Sequence, residues 1–148
     1  MKIEGREEVI VNPDEFWSFL STPEKVVKCV PGAQSWTIEK EIIHTKIKVG
    51  VGFIKGTFDT TTKILKNDIE HKVAELEISG VGNMGNFSAT VNILLTPASG
   101  NKYLVSYSSE AKVSGTMGTL AAPIVNSAIK NVVKDFLKCA ENGGKSIG

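Results

Sequence analysis

Few residues in this chain combine the types and spacing that chemistry requires, and each can be tested against its surroundings. Gly80-Val81-Gly82-Asn83-Met84-Gly85 has the spacing of a phosphate-cradling loop. That loop works by opening a helix whose N-terminus meets the pyrophosphate, with an acid about 20 residues further on. Here a strand pattern follows and no acid stands at that distance, so a nucleotide site is not expected. Gly144-Lys145-Ser146 resembles the end of another phosphate loop, but the upstream glycine it needs is Cys139, and no helix can follow. His44 alternates with lysines and His71 sits in a polar turn. With two histidines and two cysteines far apart in sequence, no metal set can be assembled on spacing grounds. A serine or cysteine nucleophile needs a histidine base, and nothing places one nearby. Cys29 and Cys139 make no CxxC pair and no disulfide framework, and read as small core residues. Asn86-Phe87-Ser88 fits a glycosylation acceptor, but no secretory signal precedes it. We therefore expect no catalytic residue, no metal and no cofactor.

Two charged features have two readings each. Alternation in the first strand puts Glu7 with Ile3, Val9 and Val11, so it is either an edge carboxylate reaching solvent or a buried acid. The row Lys130, Lys134, Lys138 is either a solvated helix face or a contact for an anionic surface.

The elements that would carry these residues are mostly strands. Lys2 to Val11 reads as a strand. Asn12-Pro13-Asp14-Glu15 opens a helix: Asn12 can cap it, Pro13 suits its first position, and Glu15 can complete a capping box. Thr22-Pro23-Glu24 starts a second short helix, ended by Pro31-Gly32. From Ala33 to Val113 the period changes to two, as in Ile43, Thr45, Ile47 and Val49 against His44, Lys46 and Lys48. One apolar and one polar face is the pattern of an antiparallel sheet wet on one side. Thr119 to Glu141 returns to helical spacing, with Leu120, Ile124, Val125, Ala128, Ile129, Val132, Val133, Phe136 and Leu137 on one broad stripe and Asn126 among the polar residues opposite. That helix must cover something, and the sheet's apolar face is the candidate.

In a meander, alternate turns share one end of the sheet. One end collects charged turns. The other collects Gly32, Gly50, Gly52, Gly80, Gly82, Gly85, Gly115 and Gly118, eight of the chain's 14 glycines, with Val51, Phe53, Val81, Met84 and Met117 displayed beside them. Soluble proteins favour polar loops, so an apolar, glycine-rich rim suggests a mouth.

Length and composition agree with one soluble domain over residues 1–148, at 41% hydrophobic and 22% charged residues. Seventeen Lys and Arg against 16 Asp and Glu give a formal charge of +1, which argues against a nucleic-acid partner. No apolar run approaches the ~20 residues a spanning helix needs. These features are those of a cytoplasmic protein whose membrane contact, if any, is peripheral on the inner face.

The order strand, two short helices, six strands, long helix resembles the helix-grip fold of the START and Bet v 1-like (SRPBCC) superfamily. The resemblance is closer to one branch, the CoxG family of carbon monoxide dehydrogenase subunits. It is carried by Met1-Lys2-Ile3-Glu4-Gly5, by Phe16-Trp17, by Cys29-Val30-Pro31-Gly32-Ala33-Gln34-Ser35, and by Lys46-Ile47-Lys48-Val49-Gly50 followed by Ile54-Lys55-Gly56-Thr57-Phe58. It implies an α+β fold: a seven-stranded curved antiparallel sheet wrapped around the long C-terminal helix. It also implies an accessory protein, not an enzyme, that serves an aerobic carbon monoxide dehydrogenase or related molybdenum hydroxylase by membrane recruitment or by carrying a lipid or quinone. Glu7 departs from the family, which has an apolar residue there, and longer members carry a C-terminal extension.

On this reading Val30, Val51, Phe53, Met84, Met117 and Leu120 form the mouth of an apolar cavity. Phe58, Leu76, Ile78, Phe87, Val91, Tyr107, Ile124 and Ala128 line its wall, with Thr60 and Thr62 as polar contacts. The competing expectation is a polyketide cyclase or aromatase-like enzyme using the same cavity.

Overall fold

The computed structural model describes residues 1–51, 54–120 and 122–142. Strand β1 (Lys2–Ile10) is followed by helices α1 (Pro13–Leu20) and α2 (Pro23–Lys28). Six further strands follow: β2 (Ala33–Glu39), β3 (Ile42–Val51), β4 (Ile54–Asp68), β5 (Val73–Gly82), β6 (Gly85–Pro97) and β7 (Lys102–Val113). A 3-10 turn (Gly115–Thr119) leads into helix α3 (Ala122–Glu141). The seven strands make one antiparallel sheet in the order β1-β7-β6-β5-β4-β3-β2, so the last strand closes back on the first. This is the expected seven-stranded sheet with a long C-terminal helix.

Local chemistry fixes the ends of the helices. Asn12 caps α1 by accepting from the backbone N–H groups of Asp14 and Glu15, at 3.0 and 3.1 Å, and Pro13 takes the first helical position. Phe16, Trp17 and Phe19 then enter the core, and the Trp17 indole N–H donates to Asn67 at the far end of β4. Trp17 is only 1% exposed, so that bond gives its indole donor the partner that water cannot supply. The α1–α2 end of the molecule is one cluster of Val9, Phe16, Trp17, Phe19, Leu95, Val105, Leu137 and Ala140, with Phe19 and Phe136 ring centroids 5.9 Å apart.

The cysteine reading needs correction. Cys29 and Cys139 are joined by a disulfide with their Cα atoms 5.4 Å apart, although 110 positions separate them. Separation in sequence says nothing about where helix ends meet. The residue that follows α2 and the last turn of α3 converge on the same cluster, so the two small buried side chains are adjacent.

The histidines are placed as turn and surface residues. Asp68 accepts from the His71 backbone N–H at 3.1 Å and pairs with its Nδ1 at 2.8 Å, closing the β4–β5 turn. The backbone bond and then the side-chain bond from His71 hold the Asp68 carboxyl below the usual carboxylate range. His44 is exposed on β3.

Candidate ligand-binding site

Directly opposed residues share a face of a sheet, so the register defines which side chains look toward α3. Ile3, Gly5, Glu7 and Val9 of β1 oppose Ser109, Tyr107, Val105 and Tyr103 of β7. The same face continues through Ala89, Val91 and Ile93 of β6, Leu76, Ile78 and Gly80 of β5, Thr60 and Thr62 of β4, and Thr45 of β3. We call this the inner face.

Aromatic rings line it, and glycines make room for them. A β-carbon on Gly80 would strike the Phe87 ring, one on Gly82 would strike Phe58, and one on Gly5 would strike the Tyr107 hydroxyl and ring. Phe58 and Phe87 meet edge to face, centroids 5.6 Å apart. Gly80 and Gly82 therefore serve as floor for two rings, besides belonging to the glycine-rich end. At the rim, Gly85 (φ +126°) and Gly115 (φ +75°) hold backbone conformations that a side chain disfavours, and their backbones are in close contact. This contact and the bond from Met117 N–H to the Met84 carbonyl, 2.8 Å, pin the 3-10 turn to the β5–β6 turn.

Coverage of the inner face is uneven. Ile3, Tyr107 and Ala111 are buried, with Ile129 and Val133 of α3 packed against them. The central strip across β4, β5 and β6 is only half-buried: Thr62, Ile78 and Ala89 in one row, Ile64, Leu76 and Val91 in the next. In a sheet packed solidly against a helix these central apolar positions would be the most covered. The arrangement suits an apolar guest lying beside α3.

Polar groups are few there. Thr60 Oγ1 donates to the Thr45 carbonyl at 3.1 Å, so that pair is satisfied. Tyr107 Oη, Ser109 Oγ and Asn126 Oδ1 are buried and have no hydrogen-bond partner among the described residues. Burial pushes the Tyr107 phenol up, and the nearby Glu7 charge adds to the shift. No group of three or more His, Cys, Asp or Glu side chains that could hold a metal ion occurs among the described residues.

A separate open depression of about 720 Å³ lies at the glycine-rich rim, lined by Gly32, Ala33, Gln34, Lys48, Val49, Gly50, Lys55, Gly56, Thr57 and Asn83. It is shallow and mixed in character, unlike the inner face. Asn83, on its lining, accepts from the Thr57 backbone N–H at 3.0 Å.

The family model for the G subunit of carbon monoxide dehydrogenase (CoxG) matches residues 5–143. The chain belongs to the CoxG family. Among solved structures, a conserved protein from Geobacillus kaustophilus is similar with a TM-score of 0.87 at 22% identity, covering 97% of this chain and 95% of that one. Truncated norcoclaurine synthase from Thalictrum flavum is similar with a TM-score of 0.63 at 18% identity, covering 94% of this chain and 91% of that one. A protein from Thermus thermophilus has a TM-score of 0.62 at 13% identity, covering 97% of each chain. No curated protein matches. At these identities the structures establish the fold, the Bet v 1-like helix grip.

In this CoxG-family chain the expected wall residues Phe58, Thr60, Thr62, Leu76, Ile78, Phe87, Val91 and Tyr107 all fall on the inner face. Ala128 is buried on α3, while Ile124, near the start of that helix, is 40% exposed. Of the expected mouth residues, Val30, Met84 and Leu120 are half-buried at the glycine-rich end. Met117 is buried instead of displayed, because the pinned 3-10 turn folds it inward. Val81 is exposed but on the outer face, opposite Asp59 and Asn86. Phe53 lies outside the described residues, and Val51 is placed only as the last residue of β3.

Sequence reasoning missed Ser109 and Asn126. The signal was present. Ser109 alternates with Tyr107 and Ala111, and Asn126 precedes Ile129 and Val133 at helical spacing on the side that faces the sheet.

Proposed function

We propose that this chain is a non-catalytic accessory protein that carries a lipid or quinone between the inner face and α3, on behalf of a carbon monoxide dehydrogenase-type molybdenum hydroxylase. The observation that carries the reading is the half-buried apolar strip of Ile64, Leu76, Ile78, Ala89 and Val91 beside the long helix. Membership of the CoxG family supports the link to the hydroxylase. The protein works in the cytoplasm on this reading and meets the membrane peripherally; no helix among the described residues is long and apolar enough to cross one.

Organic extraction of the natively purified protein, analysed by mass spectrometry, should yield a stoichiometric lipid or quinone. Ala128→Trp, which places a large ring on the inward side of α3, should abolish that cargo while leaving the circular dichroism spectrum unchanged. Unaltered cargo in the variant would remove the site from beneath α3.

One observation favours a second reading. Tyr107 carries a buried hydroxyl without a hydrogen-bond partner among the described residues, and norcoclaurine synthase, an enzyme by its name, shares the fold. A polyketide cyclase or aromatase-like activity would then reside in the same space. Recovery of a chemically changed product after incubation with an apolar substrate, lost in Tyr107→Phe, would favour it over carriage.

A further inference from the structure

The outer face of the β3–β4 hairpin carries an arrangement that the inner-face reading leaves unused. Lys48 and Thr57 are direct partners across β3 and β4, and so are Gly50 and Lys55. Residues two apart on a strand share a face, so these four make a square on the outer face with the lysines on one diagonal. All four line the open depression of about 720 Å³, a volume within the range that small-molecule sites occupy. Nothing stands within 4 Å of where a β-carbon on Gly50 would lie, so the floor between the two lysines is clear.

Polar groups surround that floor. Gln34 borders it from β2, where it is the extra residue of a bulge: Ala33 opposes Ile47, and Ser35 opposes Lys46. Asn83 borders it from the β5–β6 turn. Its Oδ1 is taken by the Thr57 backbone N–H, so the amide offers its Nδ2 donors.

The charges select the ligand. Lys48 and Lys55 are exposed, and no acidic residue is among those that line the depression. Neither ammonium is in a salt bridge among the described residues. The first acid along this face of β4, Asp59, stands two residues beyond Thr57 and directly opposite Lys46, so it has a cation of its own. The whole chain carries a formal charge of only +1, so two uncompensated lysines at one depression are a local feature and not a consequence of composition. Lysine can only donate, and the threonine hydroxyl and the two amides can donate as well. A compact dianion with several acceptor oxygens answers both the charge and the donors.

We propose that this depression binds a phosphate monoester, held over Gly50 by Lys48 and Lys55, with Thr57, Asn83 and Gln34 supplying further donors. A soluble phosphomonoester and a phosphatidate head group present this same chemistry. The site is on the opposite side of the sheet from the strip beside α3, so the inference stands apart from the carrier reading.

The experiment is a titration of nitrogen-15-labelled protein with methyl phosphate and with dimethyl phosphate at pH 7.5, read from the amide shifts. Methyl phosphate should shift Gly50, Thr57 and the Asn83 side chain saturably. It should bind at least about five-fold more tightly than the singly charged diester. Lys48→Gln and Lys55→Gln should each weaken it by about five- to ten-fold, the worth of one charge-assisted hydrogen bond at an exposed site. Gly50→Leu should fill the floor and abolish the saturable shifts at an unchanged melting temperature, because no neighbouring atom obstructs its β-carbon. Co-sedimentation with phosphatidate and phosphatidylserine vesicles of equal surface charge separates the two sources. A phosphatidate preference that methyl phosphate competes away and Gly50→Leu loses assigns the site to a lipid head group. Saturable methyl phosphate binding without that preference assigns it to a soluble ester. Equal affinity for monoester and diester overturns the proposal, since the lysines would then attract any anion alike. Shifts that never saturate overturn it as well, as does undiminished binding in Gly50→Leu. If Gly50→Leu lowers the melting temperature, the double variant Lys48→Gln, Lys55→Gln decides instead, and binding retained there overturns the proposal.

Discussion

Tyr107 fills the volume that a side chain at position 5 would need: a β-carbon on Gly5 would meet both its hydroxyl and its ring. The two residues are direct partners across β1 and β7, so the tyrosine lies across the neighbouring strand instead of standing up into the fold. Gly5→Val should therefore overpack this corner and cost about 1–3 kcal/mol. Urea unfolding measures it. In a Tyr107→Ala background the same substitution should cost markedly less, because the clashing ring is gone. Equal costs in both backgrounds would mean that Gly5 matters for some other reason.

The same tyrosine should make stability fall in alkali. Its phenol is raised above the ordinary value, by burial first and by Glu7 second. The folded state therefore holds the proton more tightly than the unfolded chain. The corresponding stability is complete below about pH 10, the unfolded value, and is lost as pH climbs through the higher folded value. Thermal melts between pH 8 and 11 should show a decline that is shallower in Tyr107→Phe. Glu7→Gln should also flatten it, by a smaller amount. A wild-type decline identical to that of Tyr107→Phe would place the alkaline sensitivity elsewhere.

Much of this architecture is legible in the sequence because antiparallel sheets with one wet face alternate cleanly. Ile43 to Val49 and Phe87 to Leu95 announce both their strands and their inward sides, and Asn12-Pro13 announces a helix start that the structure caps as expected. What escapes is whatever depends on two distant segments meeting. Gly80 and Gly82 look like loop flexibility, but they also seat Phe87 and Phe58, a relation between strands that a linear reading does not contain. Ser109 passes for a tolerated polar residue until the fold buries it, and Asn126 passes for the wet side of the helix until its oxygen is found without solvent. Met117 looks displayed until the 3-10 turn is pinned to Met84.

The Cys29–Cys139 bridge belongs to that class, and its removal has a measurable cost. It ties the end of α2 to the last turn of α3 and closes a loop of 110 positions. Cross-links over loops of this length contribute about 2–5 kcal/mol, largely by restricting the unfolded chain. Reductant should lower the urea midpoint accordingly, and the Cys29→Ala, Cys139→Ala double variant should match the reduced protein and ignore reductant. An unaltered midpoint on reduction would count against the bridge. The thiol state also bears on where the protein works, since cytosolic reductants keep such pairs open. Alkylation at the moment of lysis reports whether the bridge is closed in the cell, and a closed bridge would count against the proposed cytoplasmic setting.

The proposed carrier role requires access to cargo held in a bilayer, and the glycine-rich rim offers charge for such an approach. Lys48 and Lys55 stand exposed on the outer face of the β3–β4 hairpin, with Thr57 and Gly50 as their cross-strand partners. Both line the open depression at that rim. Phe53 is outside the described residues, so the lysines carry the test. Each lysine near an anionic leaflet contributes about 1 kcal/mol, so replacing both by glutamine should weaken association roughly thirty-fold. Because both side chains are exposed and unpaired by any salt bridge among the described residues, the fold should be unaffected. Co-sedimentation with phosphatidylserine-containing vesicles at low salt measures the loss. The wild type should itself detach as salt rises, because an interaction between exposed charges is screened over about 10 Å at 0.1 M. Purely phosphatidylcholine vesicles should not distinguish the two proteins. If wild type and Lys48→Gln, Lys55→Gln bind anionic vesicles alike, the rim does not dock on lipid through these charges.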